Sequence, residues 1–312
     1  IYLIMKKYSN LIIVMITFII LILILFNKEI VSNTIITSFY IWFNTLVPSM
    51  LPTFILSDIL INYNFISFIP DKITNIISKI FNISKEAVLV LFISLIAGFP
   101  SNGTAIKTSY DLKLISKEEA SHLLLFAHFA NPLFILQTIG IFYLKNNSFG
   151  IIILISHVLS AFLIGVILRN KNHPTKDNYI SKNNKSQSFT TIFSSSIKKS
   201  INTLLMVSGT VTSFLIISTL ICHIFDLNVY LETFVKSTLE MTMGLSSLSN
   251  LLICDIYKVV LSTAIISFGG LSIHLQVASV IDDIPYTNYL KGRLLHLVIS
   301  SLTSFLIFKL IF

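Results

Sequence analysis

The stretch GFPSNGTAIKTSYDLKLISKEEASHLLLFAHFANPLFI, Gly98 to Ile135, decides how this chain is organised. The apolar run before it, Ala87 to Ala97, stops at a glycine, a proline and small polar residues, and a helical pattern resumes near Thr104. That run covers about 17 Å at helical rise, which is too short for a hydrocarbon core of roughly 30 Å. The sequence therefore predicts a re-entrant hairpin that runs down to Gly98 and back to Leu114.

A second interruption, SFGGLSIHLQ, lies in the other half of the chain, at Ser267 to Gln276. It follows a short apolar run, and the helical pattern then resumes to Val280. Backbone freed inside a bilayer is tolerated only where protein or a water-lined cavity receives it, and transporters place substrate sites at such breaks. The two breaks are therefore expected to face each other near mid-membrane and to form one site.

The composition is that of a polytopic membrane protein. Hydrophobic residues make up 54% of the 312 and charged residues 12%, with a mean hydropathy of +0.85, whereas a soluble domain carries roughly 25% charged residues. The net charge of +8 collects in one polar loop and beside helix ends, which indicates membrane orientation rather than nucleic-acid binding. Cys222 and Cys254 form no metal or CxxC pattern and are interpreted as apolar fillers.

The apolar runs predict an all-α fold with about six to eight transmembrane helices and two re-entrant or broken helical hairpins, one at each of the two breaks. Leu11 to Phe26 follows a basic flank and lacks small residues for signal cleavage at its end, so we expect an uncleaved first span. Ile35 to Ile61 contains Pro48 and Pro52, which are expected to bend it. The residues from 62 to 84 alternate apolar and charged side chains, as in an amphipathic helix on the cytoplasmic interface.

The remaining helices follow from similar patterns. Ser116 and Glu119 have the capping-box spacing, so a helix is expected over 117–144, interrupted at Asn131-Pro132. Further helices are expected at 149–168, 201–225, 231–250 and 289–312.

Residues 169–199 form a polar linker with seven basic residues and a single acid, Asp177. The positive-inside rule places this linker in the cytoplasm. It divides the chain into an N-terminal transmembrane helix (1–30), a first repeat (31–168), the linker itself and a second repeat (200–312). If 87–114 is re-entrant, the two halves have the same plan and opposite insertion, which is the inverted repeat of many secondary carriers.

The first group of candidate substrate-binding residues surrounds the first break. A hairpin tip next to a helix N-terminus offers free N–H groups and a partial positive charge, which favour an anion; the alternative is a close-packing break without a ligand. Lys107 is a candidate cation, with a snorkelling interfacial lysine as its alternative. The candidates are Gly98, Pro100, Ser101, Asn102, Gly103 and Lys107, with Asn131 and Pro132 at the next interruption.

The second group lies around the second break and on the closing helix. Ser272 and Gln276 share a helix face at i,i+4, while His274 points elsewhere and is expected to be a packed, hydrogen-bonded histidine. Arg293 is a functional candidate because a charge this near hydrocarbon is costly, with an interfacial anchor as the alternative. Glu240, inside the 231–250 segment, is a candidate for coupling or pairing. The substrate-binding candidates of this group are Ser267, Gly269, Gly270, Ser272, Gln276 and Arg293.

Enzymatic signatures are missing from the sequence. The seven histidines are scattered, and no HExxH, GxSxG or GxxxxGK motif occurs. We therefore expect no enzymatic activity, no metal site and no cofactor.

Three motifs in order, GFPSNGTAIK, SKEEASHLLLFAHFANPLFI and SFGGLSIHLQV, resemble the YlbJ-type sporulation integral membrane proteins, within the wider group that carries the nucleoside-recognition Gate domain. The resemblance runs from about Trp42 to the end of the sequence. It departs from the family at residues 127–130, where a segment usually rich in Thr, Asn and Ser is Ala-His-Phe-Ala. The resemblance implies a location in the outer forespore membrane and movement of dipicolinate into the developing spore.

Two classes of function remain open on the sequence. One is a carrier for a small organic anion, with dipicolinate first and a nucleoside-like solute as the alternative. The other is a structural or assembly protein of the sporulation membrane. The expected partners are the anionic substrate and the lipid bilayer, without nucleic acid, and a homo-oligomer is left open. A scaffold has little need for two unwound segments in the bilayer, so the carrier is favoured.

Overall fold

The computed structural model describes residues 2–63, 65–169 and 188–312, with side chains from Asn10 onward except at 66 and 67. These ranges are helical, with no strand among them. In chain order the helices are α1 (Tyr2–Phe26), α2 (Lys28–Ile41), a π-helical segment (Trp42–Leu46), α3 (Val47–Asn62), a 3₁₀ turn (Phe65–Phe68), α4 (Asp71–Phe81), α5 (Lys85–Ala97), α6 (Ser101–Asp111), α7 (Lys117–Phe126), a second π-helical segment (Phe134–Tyr143), α8 (Asn147–Ile167), α9 (Phe189–Ile224), α10 (Val229–Leu239), α11 (Met241–Ser249), α12 (Asp255–Phe268), α13 (Gly270–Val280) and α14 (Tyr286–Ile311).

The described helices confirm an all-α polytopic membrane protein. Five stretches are long and apolar enough to cross a membrane, or six if the bent pair α4–α5 is one span. Asn10–Phe26 of α1 is a shorter apolar helix whose large apolar side chains are exposed. The number of candidate spans, five or six, is therefore at the lower end of the predicted six to eight or just below it. The five stretches are Lys28–Asn62, Asn147–Ile167, Phe189–Ile224, Asp255–Val280 and Tyr286–Ile311.

The first of these spans is distorted where the prolines were expected to bend it. Pro48 lies in the first turn of α3 and Pro52 lies inside that helix. Proline removes one N–H from the helical ladder, and the widened π turn, Trp42–Leu46, lies directly before Pro48. Farther along, α4 meets α5 at 90° and exposes isoleucines at 73, 76 and 80. This is the geometry expected of an amphipathic helix along a membrane surface.

Broken helices occur in the same order in both halves of the chain. Each half has a long span, a helix pair that packs as a hairpin, a broken helix and a closing span. The hairpins are α5–α6 and α10–α11, whose helices pack against each other. In the first half the broken helix is α7, followed by residues 127–131 and the second π segment; in the second half it is α12–α13. The opposite insertion of the two halves stays a prediction.

The second half differs from the sequence prediction at two points. The expected single helix over 231–250 was wrong, because Glu240 is extended (φ −139°, ψ 110°) and separates α10 from α11. The break at Ser267 to Gly270 is milder than a hairpin. There, α12 and α13 form one candidate span, Asp255–Val280, kinked at Gly269, whose φ is +91°.

The boundary of the predicted linker also changes. The helix expected from Ile201 begins at Phe189, so the last part of the 169–199 segment is helical. Residues 170–187 of that segment lie outside the described residues.

The two halves pack into one core along an antiparallel helix pair. The Oδ1 atom of Asp58, near the end of α3, lies 2.6 Å from Nζ of Lys199, near the start of α9. Farther along, Nε1 of Trp42 donates to the carbonyl of Leu204 at 2.9 Å. A second contact between the halves is made by the closing helix, because α14 packs against α7 and α8 of the first half as well as against α12. The halves are therefore interleaved rather than separate bodies.

A topology experiment tests the predicted orientation. The Asp58–Lys199 pair places the end of α3 and the start of α9 on one side of the protein, which agrees with the predicted cytoplasmic side for both. Residues 226–230 are expected on the opposite side. The sequence predicts the same for 282–288, but α10–α11 packs as a hairpin and α12–α13 is one candidate span between the two loops. Residues 282–288 are therefore expected on the side of the linker, which corrects that prediction. With the two native cysteines replaced by alanine, single cysteines at Lys185 and Asn228 should react with an impermeant maleimide from opposite sides. Reaction of both from the same side would contradict the inverted repeat.

Candidate substrate site

The two breaks of the first half hold each other in place. The N–H of Phe99 donates to the carbonyl of Phe129 at 2.9 Å, and Nδ2 of Asn102 donates to the same carbonyl at 3.1 Å. In return, Nδ2 of Asn131 donates to the carbonyl of Ala97 at 3.1 Å. Backbone groups freed by each break are therefore received by the other break, as a low-dielectric interior requires.

The second half has an equivalent contact between its breaks. Gly270 has φ +69°, and a Cβ built on it lies 3.0 Å from the backbone nitrogen of Met241. Met241 directly follows Glu240, whose Oε2 accepts from the N–H of Met243 at 2.8 Å. The kinked span α12–α13 thus packs against the tip of the hairpin α10–α11.

A histidine joins the two halves at their breaks. Nε2 of His157, in α8, accepts from the N–H of Ala130 at 3.0 Å. Its other nitrogen, Nδ1, therefore carries the hydrogen in the neutral ring and donates to Oγ of Ser267 at 2.9 Å. One imidazole therefore holds the break of the first half and the break of the second half in register.

Arg293 lies at the same junction, with only 1% of its surface exposed. Its Nη1 donates to the carbonyl of His128 at 2.9 Å, to the carbonyl of Ser267 at 3.3 Å and to Nδ1 of His296 at 3.1 Å. Because Nδ1 of His296 accepts, its Nε2 donates, and this bond reaches the carbonyl of His157 at 2.7 Å. The Nη1 atom of Arg293 is thus held by a carbonyl from a break of each half.

The rest of the guanidinium has no hydrogen-bond partner. Among the described residues, nothing bonds to Nε or Nη2 of Arg293, and none of the ion pairs includes this residue. Two N–H groups of a buried cation are therefore available, side by side. A carboxylate is the group that such a pair of donors fits, through two parallel hydrogen bonds.

A small cleft lies next to this network, between the halves. Phe99, one of its lining residues, stacks on the ring of His128 with centroids 5.4 Å apart. Arg293 therefore lies one layer behind the cleft wall. The cleft reaches the middle of Lys28–Asn62 and the middle of α9, so it lies at mid-length of two candidate spans. Its lining residues are Leu46, Met50, Phe99, Pro100, Val207, Val211, Glu240, Met241, Thr242, Ser272, Ile273 and Gln276.

Ten of the fourteen predicted site residues fall into three sets. Pro100, Ser272 and Gln276 line the cleft, and Arg293 and Ser267 belong to the network behind it. A larger set supports the breaks through backbone geometry, packing or hydrogen bonds. Gly98, Asn102, Asn131, Gly269 and Gly270 form that set.

Four of the predicted residues lie elsewhere. Lys107 pairs with Asp111 at 2.6 Å and with Asp282 and Asp283 at 3.3 and 3.4 Å, so its charge is already compensated. A Cβ on Gly103 would be in ordinary contact with α13. Ser101 and Pro132 are half-buried and are not among the residues that line the cleft.

The expected packing of His274 is present in the structure. Its Nδ1 lies 2.5 Å from the hydroxyl of Tyr286, and its Nε2 lies 3.0 Å from the carbonyl of Phe268. Sequence reasoning missed His128 and His157 as parts of the network. For His157 a signal existed, because it is an ionisable residue inside an otherwise apolar span.

This fold defines an integral membrane protein whose broken helices meet at a buried cation. No family model matches the chain, and no solved structure matches it. The chain is similar to the sporulation integral membrane protein YlbJ of Bacillus subtilis (strain 168). The two sequences are 24% identical in an alignment 312 positions long that covers 88% of this chain and 76% of that protein. The similarity agrees with the resemblance seen in the motifs, and together with the apolar spans it supports an integral membrane location.

Proposed function

We propose that the protein is a membrane carrier for a small organic anion, with dipicolinate as the first candidate and the outer forespore membrane as its location. The proposal is carried by one observation. Arg293 is buried where the breaks of both halves meet, and two of its donor nitrogens, Nε and Nη2, have no partner among the described residues.

The chemistry of dipicolinate fits this arrangement. The molecule has two carboxylates at neutral pH, and moving them from water into a low-dielectric site without partners would cost many kcal/mol. Helix ends at the breaks supply only about half a unit of charge each. The guanidinium supplies a full charge and two parallel donors. One carboxylate is therefore assigned to Nε and Nη2 of Arg293.

Access to Arg293 involves the cleft between the halves. Phe99 and His128 stack between the cleft and the guanidinium, so the substrate reaches Arg293 when this pair moves aside. In carriers with broken helices, one bundle rocks against the other around a fixed midplane site. The Phe99–His128 pair is the element of this chain that such a motion would displace.

A nucleoside-like solute is the second candidate substrate. Ser272 and Gln276 line the cleft with uncharged hydrogen-bonding groups, and these suit a base or a ribose as well as a carboxylate. A structural role without flux is the remaining alternative.

Uptake into proteoliposomes tests the proposal. We expect saturable, time-dependent entry of labelled dipicolinate into vesicles that contain the protein, and background entry into protein-free vesicles of the same lipid. Unlabelled dipicolinate should compete well, and its monocarboxylate analogue picolinate should compete more weakly, because it has one carboxylate fewer. Flux of labelled uridine with none of dipicolinate would favour the nucleoside alternative. Absence of both fluxes would contradict a carrier.

A further inference from the structure

Glu240 is a buried carboxylate without an ion pair. Its surface is 1% exposed, and none of the ion pairs among the described residues includes it. The nearest lysine in sequence, Lys236, is hydrogen-bonded to Glu232 instead. Glu240 accepts from the N–H of Met243 at 2.8 Å and from the N–H and the hydroxyl of Thr242. These donors cap α11 and carry no full charge.

Such a carboxylate requires a positive partner. An ionised carboxylate that is taken out of water without a counter-charge is costly and tends to bind a proton instead. The N-terminus of α11 offers only a fraction of a charge. A small cation that neutralises Glu240 would remove this cost.

A second observation points to a ligand at the same place. Ser272, on α13, lines the same cleft as Glu240. Its hydroxyl is fully buried and has no hydrogen-bond partner among the described residues. Hydroxyl and carboxylate oxygens are the ligands that hard cations take. The cleft therefore presents a carboxylate and an unused hydroxyl from two different elements of the second half.

We propose that Glu240 is the binding site of a small monovalent cation, either a proton or Na⁺, with Ser272 beside it in the cleft. The binding itself does not depend on which solute is carried. Its coupling to flux rests on the proposed function. A cation at Glu240 and an anion at Arg293 each neutralise one buried, unpaired charge, so the two are expected to move together.

The other groups around Glu240 leave its charge uncompensated. The second π segment contributes Tyr143, whose phenol interacts electrostatically with Glu240 and is uncharged at neutral pH. The residues that α9 and α13 contribute to the cleft are Val207, Val211, Ser272, Ile273 and Gln276, and all are uncharged. Neither α10 nor α12 provides an ion-pair partner among the described residues. Glu240 is thus the only ionisable side chain among the residues that line the cleft.

Thermal unfolding of the purified full-length protein in detergent tests the proposal without any transported solute. Wild type is compared with Glu240→Gln, which keeps a carbonyl oxygen for the cap and removes the charge. The matched control is Glu118→Gln, which alters an exposed carboxylate in the first turn of α7, whereas Glu240 is the N-cap of α11. Midpoints are measured in NaCl and in choline chloride, at pH 6 and pH 8.

Varying the salt and varying the pH distinguish the two cations. If Na⁺ binds, the wild-type midpoint at pH 8 should rise by about 3 °C in NaCl relative to choline chloride. If a proton binds, the midpoint should rise by a similar amount from pH 8 to pH 6 in either salt. In both cases Glu240→Gln should lose the response and Glu118→Gln should keep it. Equal responses of wild type and Glu240→Gln to both salt and pH would overturn the proposal.

Chemical labelling of the wild type provides a second measurement that needs no variant. Dicyclohexylcarbodiimide modifies protonated carboxyls in apolar sites, and mass spectrometry locates the product on the peptide with Glu240. Modification should be greater at pH 6 than at pH 8, and NaCl should protect if Na⁺ is the ligand. Modification of Glu240 that is independent of both pH and Na⁺ contradicts a cation site. Neither of these two measurements uses transport. The cation site can therefore be confirmed even if the protein carries neither dipicolinate nor uridine.

Discussion

Replacing Gly98 with alanine is expected to leave little folded protein in the membrane. Gly98 has φ +72° and ψ −178°, a region that is essentially restricted to glycine and costs other residues about 1–3 kcal/mol. A Cβ at this position would also lie 2.3 Å from the backbone nitrogen of Asn131, far inside contact distance. Because Asn131 is itself held by the hydrogen bond to Ala97, the clash cannot relax without separating the two breaks. The measurement is the amount of monodisperse protein after extraction, together with its unfolding midpoint.

The same hairpin offers a matched control. A Cβ on Gly103 would lie 3.6 Å from Val277, an ordinary contact distance, so Gly103→Ala should behave like wild type in both measurements. Wild-type yield and midpoint for Gly98→Ala would contradict the contact between the breaks. If Gly98→Ala inserted normally and lost only transport, the glycine would serve ligand approach, as the sequence alone suggested.

The first half of the fold was largely predictable because its breaks have strong local signals. Gly98 and Pro100 end an apolar run that is too short to span, and Asn131-Pro132 interrupts the next helix. Proline removes a backbone donor, and glycine adopts conformations that other residues avoid. The structure confirms an interruption at both places. The contact between Gly98 and Asn131 was not predictable, because it joins two segments that are 33 residues apart in sequence (131 − 98).

The second half was harder to predict because one of its breaks has no such signal. Glu240 lies between Leu239 and Met241, both good helix formers, and neither a proline nor a glycine is adjacent. The break is stabilised by tertiary contacts instead, since Gly244 of α11 packs directly on Ser237 of α10. Conversely, the Gly269-Gly270 pair suggested a hairpin and produces a kink within one span.

Sequence reasoning singled out Arg293 and several of the residues around it, and it missed the histidines His128 and His157. Arg293 was singled out because a charge inside an apolar helix needs a reason, and the structure buries it at the junction of the breaks. Lys107 was the second candidate cation by sequence, and three acids surround it. Two of those acids, Asp282 and Asp283, are more than 170 residues away (282 − 107 = 175). Within the described residues, the tertiary fold compensates the charge of Lys107 and gives Arg293 no ion pair.

Replacing Arg293 with glutamine is expected to abolish dipicolinate uptake, and replacing it with lysine should weaken uptake strongly. Glutamine removes the charge together with the two donors assigned to a carboxylate. Since a hydrogen bond to a charged group contributes about 1.5–3 kcal/mol, losing two predicts a decrease of roughly 100-fold or more in uptake at low substrate. Lysine keeps the charge and loses the planar fork, so a decrease of about tenfold is expected, mainly as a higher half-saturating concentration. Initial uptake rates over a range of dipicolinate concentrations measure both.

A structural role of Arg293 must be separated from substrate binding, because Nη1 also holds the carbonyls of His128 and Ser267. Lys291, exposed on the same helix two residues earlier, provides the control: Lys291→Gln should transport like wild type. Dipicolinate should raise the unfolding midpoint of wild type and of Lys291→Gln, and it should have little effect on Arg293→Lys at equal concentration. A purely structural arginine would lower the starting midpoint and leave the dipicolinate-induced increase intact. Uptake by Arg293→Gln at the wild-type rate, with equal protein in the vesicles, would remove Arg293 from the site altogether.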